Sequence, residues 1–235
     1  MCPIDSINAK MSCLGTRIKN MRKTTILFTL GLISMASFSS ASILNIYGMA
    51  GNKSQIVNLN YNGKNLQVYS GPQSASFDHK NIFESYCVDM DHDNNLPVNY
   101  SVYSTDAKKL ANYSLVNSLF GHFSNKVTNS QQGSALQLAI WDAVVDGGDG
   151  LDKGNLKAFK LSDGVKNQFN FYREFSLKNS YAETSFAFYS ANHKGKLYQD
   201  MIAPINSIPP VPEPASLAVI GIGCLALFKL KINAS

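Results

Sequence analysis

The sequence predicts an α+β fold: a mainly antiparallel β-sandwich or barrel with an inserted helical region, plus an N-terminal signal helix and a C-terminal transmembrane helix. Three observations lead there. Apolar residues alternate with period two at both ends of the central region and recur with helical period in its middle, and strands, helices, strands is the α+β order. An apolar run follows a basic start near the N-terminus. A second uncharged run, Ala215 to Phe228, precedes Lys229 and Lys231.

Met21-Arg22-Lys23, the run "TTILFTLGLISMASF" and the small residues Ser39 to Ala41 have the basic–apolar–small layout of a secretory signal peptide. Residues 1–41 are therefore expected to be a signal peptide. Residues 1–20 fit that layout poorly, which makes Met21 an alternative start. Residues 42–207 form the expected exported domain. Residues 208–235 form the expected tail, entered through the proline-rich linker "INSIPPVPEP". The 14 uncharged residues of the tail are short for a bilayer, but the flanking lysines extend its reach and belong on the cytoplasmic side.

Within the domain, Val57, Leu59 and Tyr61, then Leu66 and Val68, alternate around Asn62-Gly63. That dipeptide predicts a hairpin, because a type I′ turn needs positive φ at both central positions. Phe83 to Met90 is a further strand, with Phe83, Ser85, Cys87 and Asp89 on one face. Helical spacing appears over 105–120, with Gly121 as the stop, over 134–145, ended by "DGGDG", and over 165–177. The second of these puts Gln137 on an apolar face with Trp141, the single tryptophan. "TSFAFYS" and "KLYQDMIA" predict a closing strand pair around the turn at 192–195.

The chain carries a net charge of +5, yet residues 42–207 hold 14 Lys/Arg against 14 Asp/Glu. The excess sits in the two ends, so no basic patch is implied and nucleic acid is excluded as a partner. Of four cysteines, Cys2, Cys13 and Cys224 lie in the ends. The domain keeps only Cys87, in "ESYCVDMDHDN", and has no internal disulfide to make.

Cys87 admits four readings. It is a small buried hydrophobe, as free cysteines often are. It is a metal ligand with Asp89, Asp91, His92 and Asp93; an EF-hand loop counted from Asp89 would need glycine and glutamate where Asn94 and Tyr100 stand, so no metal is expected. Asp146 to Asp152 likewise read as a helix-ending turn. It is the nucleophile of a cysteine–histidine hydrolase with His79, His92, His122 or His193, none of which lies in a local nucleophile signature. Or it is joined to a side-chain amide, since attack of its sulfur on Gln137 would expel ammonia and leave an internal thioester.

Tyr86-Cys87-Val88-Asp89 and Leu136-Gln137-Leu138-Ala139-Ile140-Trp141 resemble the paired motifs of bacterial Cys–Gln thioester domains. The 50-residue gap with a helical stretch inside it, and the final "GKLYQDMIA", are similar too. Leu136 stands where many members have threonine. The resemblance implies a thioester between Cys87 and Gln137, walled from water by Tyr86 and Trp141, that bonds covalently to an amine or hydroxyl on a surface or matrix target. It implies single-turnover adhesion, with no catalytic residue, no cofactor and no metal. Pro212-Glu213-Pro214 before the apolar tail resembles the PEP-CTERM sorting signal, with two lysines in place of the usual arginine cluster. It implies a Gram-negative cell, an exosortase-type sorting enzyme, an inner-membrane anchor and a destination in the envelope or matrix. The alternatives are a non-covalent polysaccharide-associated matrix protein with an inert cysteine, and the hydrolase.

Overall fold

In the computed structural model, residues 42–92, 98–193 and 196–207 are described. The expected signal peptide, the sorting motif and the apolar tail lie outside them. Among the described residues no helix is long and apolar enough to cross a membrane.

The nine described strands are β1 (Ser42–Met49), β2 (Gln55–Tyr61), β3 (Lys64–Ser70), β4 (Gln73–Phe77), β5 (Ile82–Cys87), β6 (Val98–Thr105), β7 (Leu156–Phe159), β8 (Phe186–His193) and β9 (Lys196–Pro204). The helices are α1 (Tyr113–Phe123), α2 (Ser130–Asp146) and α3 (Asp163–Lys178), all inserted between β6 and β8. Six strands close a barrel in the order β1-β4-β5-β9-β8-β6, and β3-β2-β7 form a separate sheet. Every pairing is antiparallel.

The hairpin turns at Asn62 and Gly63, both at positive φ (50° and 81°), with Tyr61 facing Lys64. The first helix departs from expectation. It begins at Tyr113, after a short 3₁₀ turn over Ala107–Lys109, and runs through Gly121 to Phe123. Gly121 is not a stop but a packing position: a Cβ there would overlap the Tyr181 ring. β5 ends at Cys87 instead of running to Met90.

Helix α2 is buried on all sides from Gly133 to Ala143 rather than along one apolar stripe. It packs against α1 and α3 and touches both sheets, β5 of the barrel and β2, β3 and β7 of the other. Each of its buried Leu and Ile side chains is worth about 1.5–3 kcal/mol of burial. This central helix fixes the relation of barrel, sheet and helices. Its contact with β5 is where the site lies.

Candidate functional site

Two local features set α2 against the barrel. Asn129 caps the helix by accepting from the Gln132 N–H (3.0 Å). One turn before Gln137, Gly133 lets the helix pass close to Lys53 and Pro72, where a Cβ would run into the Lys53 carbonyl oxygen. On the barrel side, Cys87 ends β5 facing Met201 of β9, and the Val88 N–H donates to the Asp200 carbonyl (3.0 Å).

Gln137 and Cys87 meet across this seam. The Cys87 N–H donates to Gln137 Oε1 (3.1 Å), and Gln137 Nε2 donates to the Cys87 carbonyl (2.8 Å). The side-chain amide thus lies along the Cys87 peptide as a further strand would. Cys87 and Gln137 are 4% and 1% exposed. The sulfur donates to Gln199 Oε1 (2.9 Å) and accepts from Gln73 Nε2 (3.3 Å). Gln199 is oriented in turn by donating from Nε2 to the Asp89 carbonyl (2.7 Å). Three carboxamides therefore surround one cysteine.

Burial, and secondarily the charge of Asp89, push the Cys87 thiol far above its ordinary pKa. None of His79, His92 and His122 hydrogen-bonds to it, and the side chain of His193 lies outside the described ones. His92 pairs with Asp89 (2.5 Å), His79 with the Tyr47 hydroxyl (3.3 Å), and His122 packs among Phe123, Phe175 and Tyr181. Of the acidic residues after Cys87, Asp89 accepts from the Asp91 N–H (2.8 Å) as well as from His92, and Asp93 lies outside the described residues.

Chemically, the seam puts a hydrogen-bond donor, the Cys87 N–H, on the oxygen that would gain negative charge if Gln137 were attacked at its carbonyl carbon. Gln73 puts a second donor on the sulfur, where it favours a thiolate.

Trp141 lies one helical turn after Gln137, 3% exposed. Tyr86 is placed differently from expectation. Successive strand residues face opposite ways, and Tyr86 packs edge-on against Phe120 of α1 (5.8 Å between centroids), on the face of β5 away from Cys87. It lines a cavity of about 450 Å³ with Glu84, Glu183 and Asn206, not the surroundings of the sulfur. Sequence reasoning missed Gln73 and Gln199. Gln199 carries a signal: in "KLYQDMIA" it alternates with Leu197 and Met201, a polar residue in an apolar register.

No protein-family model and no curated protein matches the sequence. Among solved structures, the chain is similar to the N-terminal thioester domain of a surface protein from Clostridium perfringens, at 14% identity and a TM-score of 0.43, covering 68% of this chain and 97% of that one. It is similar to the thioester domain of the Staphylococcus aureus TIE protein, at 11% identity and a TM-score of 0.42, covering 68% and 91%. It is also similar to the N-terminal domain of the Streptococcus pyogenes pilus tip adhesin Cpa, at 13% and 0.42, covering 72% and 96%. Likenesses this distant carry no functional weight; the distances around Cys87 do.

Proposed function

We propose that this is an exported envelope or matrix protein whose Cys87 and Gln137 form an internal thioester that bonds covalently to a nucleophile on a surface or matrix partner. The observation that carries the reading is the reciprocal pair of hydrogen bonds between the Gln137 amide and the Cys87 peptide, 50 residues apart in sequence and sealed from water.

In the forming step, the Cys87 sulfur attacks Gln137 Cδ. The carbonyl oxygen draws on the Cys87 N–H as charge builds, and the carbon–nitrogen bond breaks. The thiol proton leaves with the amide nitrogen as ammonia. In the opening step, an amine or hydroxyl of the target attacks the same carbon. An amide or ester forms, the carbon–sulfur bond breaks, and the nucleophile's proton returns to sulfur. Gln73 supports the departing thiolate. The burial that raises the thiol pKa makes that thiolate a poor leaving group, which favours a bond that persists until a target is seated. Nothing is regenerated, so the act is adhesion and not turnover. Sorting through Pro212-Glu213-Pro214 by an exosortase-type enzyme, after anchoring at the inner membrane, completes the proposal.

The inert-cysteine reading has its own support: Oε1 and Nε2 of Gln137 and the Cys87 sulfur all have hydrogen-bond partners, as a purely structural cluster would. Methylamine separates the two. The thioester protein has no titratable thiol until methylamine opens it, and then carries methylamine on Gln137, one methylene heavier than the encoded residue. Cys87→Ala takes up none. A thiol that titrates in untreated, natively exported protein, with no methylamine uptake, would decide for the structural cluster.

A further inference from the structure

At the other end of α2, three carboxylates converge. Asp142, Asp146 and Asp149 each offer an oxygen within 4.8 Å of the other two. Asp146 is held in place by two backbone amides, Asn155 N–H to Oδ1 (3.0 Å) and Leu156 N–H to Oδ2 (2.7 Å). Asp142 accepts from the Gly150 N–H through Oδ1 (3.1 Å).

The second oxygen of Asp142 is the telling one. Asp142 is 0% exposed, and its Oδ2 has no hydrogen-bond partner. Arg173 of α3 is the nearest cation, with Nε 3.7 Å from that oxygen, but it donates to the Gly148 carbonyl instead (2.6 Å). A buried carboxylate oxygen left without a donor is costly. Of the cations nearby, Arg173 is the one paired with Asp142, while Lys153, Lys160 and Lys166 line the adjoining cavity beside Asp149.

We propose that Asp142, Asp146 and Asp149 form a divalent-cation site of calcium type at the C-terminal end of α2. The donors are all hard oxygens, which suits calcium over softer metals. Each carboxylate oxygen that accepts an amide keeps a lone pair for an ion. Asp142 is buried, Asp146 half-buried and Asp149 exposed, so one side of the site opens to solvent and water completes the coordination. Calcium accepts such an irregular shell, whereas magnesium demands a near-ideal octahedron. The ion would tie α2 to the loop behind it, on the helix that carries Gln137. The site stands whether or not Cys87 and Gln137 bond.

Terbium luminescence tests this on natively exported protein. Trp141, the single tryptophan, directly precedes Asp142 and serves as the sensitiser. Sensitised emission should saturate at one ion per chain and be displaced by calcium, less readily by magnesium. Calcium should raise Tm and a chelator should reverse the rise. Asp149→Asn, at an exposed position where folding is safe, should weaken binding at least about tenfold, since ligand charge sets affinity in such sites. No sensitised emission would overturn the site, meaning that Arg173 alone serves the cluster. So would emission equally strong in Asp146→Asn and Asp149→Asn, or a Tm indifferent to calcium.

Discussion

Gln137 and Asp142 lie on one helix, neither more than 1% exposed, and the fold treats them in opposite ways. Gln137 is matched donor for acceptor by a single peptide, that of Cys87. Asp142 has one oxygen matched by Gly150 and one with no hydrogen-bond donor, facing only the Arg173 guanidinium at 3.7 Å. A neutral amide can be satisfied inside a fold by one backbone group that offers both partners. A buried carboxylate needs more donors or a counter-charge, and where the chain does not supply them the deficit points outward, to an ion. The first residue marks the seam where we propose a bond, the second the place where we propose an ion.

The largest expected effect separates the two directly. Gln137→Leu fills the same space but leaves the Cys87 N–H and carbonyl buried without partners, at about 1–3 kcal/mol each, so denaturant unfolding should show a large loss. Asp142→Asn keeps the acceptor for Gly150 and removes the charge, so in chelator it should shift stability by no more than about 1 kcal/mol, in the stabilising direction. Equal losses in the two variants would break the contrast.

A smaller effect tests how the seam is held shut. Gly133→Ala should cost about 1–3 kcal/mol by overpacking against Lys53. It should also move Gln137 off Cys87, so that the variant keeps its ammonia. A variant as stable as the parent would mean that α2 shifts freely over the barrel.

The smallest concerns the exposed edge of the same region, where charge is cheap. His92 has its pKa raised, first by the hydrogen bond to Asp89 and then by its charge. A raised histidine stabilises the fold fully below the unfolded value near 6.5 and loses that contribution as pH rises through the folded value. Stability should therefore decline slightly as pH rises from about 6.5 through the folded value, an effect that Asp89→Asn removes. An NMR titration placing His92 at or below its ordinary pKa would contradict this.

The β2–β3 hairpin is legible in Asn62-Gly63, because a tight I′ turn favours that pair between alternating strands. The second helix is legible as a helix, and Gly147 at φ 72° ends it as the "DGGDG" pattern implies. Its surroundings are not legible, because a helix buried all round has no polar face to orient it. That is also why Asp142, inside "AIWDAVV", gives no signal in the sequence and the turn after it suggests no ion. β4, β6 and β7 escape sequence reading because their strand character comes from pairing: Gln73–Phe77 is largely small and polar, yet lies between β1 and β5. Cys87 and Gln137 are legible as motifs. Gln73 and Gln199 at the sulfur are not, since their contacts with it span 14 and 112 residues of chain. Tyr86 fails as a wall for the sulfur because adjacency to a cysteine in a strand means the opposite face.

Intact mass of the natively exported protein tests the central claim most directly. If Cys87 and Gln137 are joined, the folded chain weighs one ammonia less than its mature sequence, and the deficit is absent in both Cys87→Ala and Gln137→Ala. A parent protein at full sequence mass, with Cys87 open to alkylation on unfolding, would contradict the account.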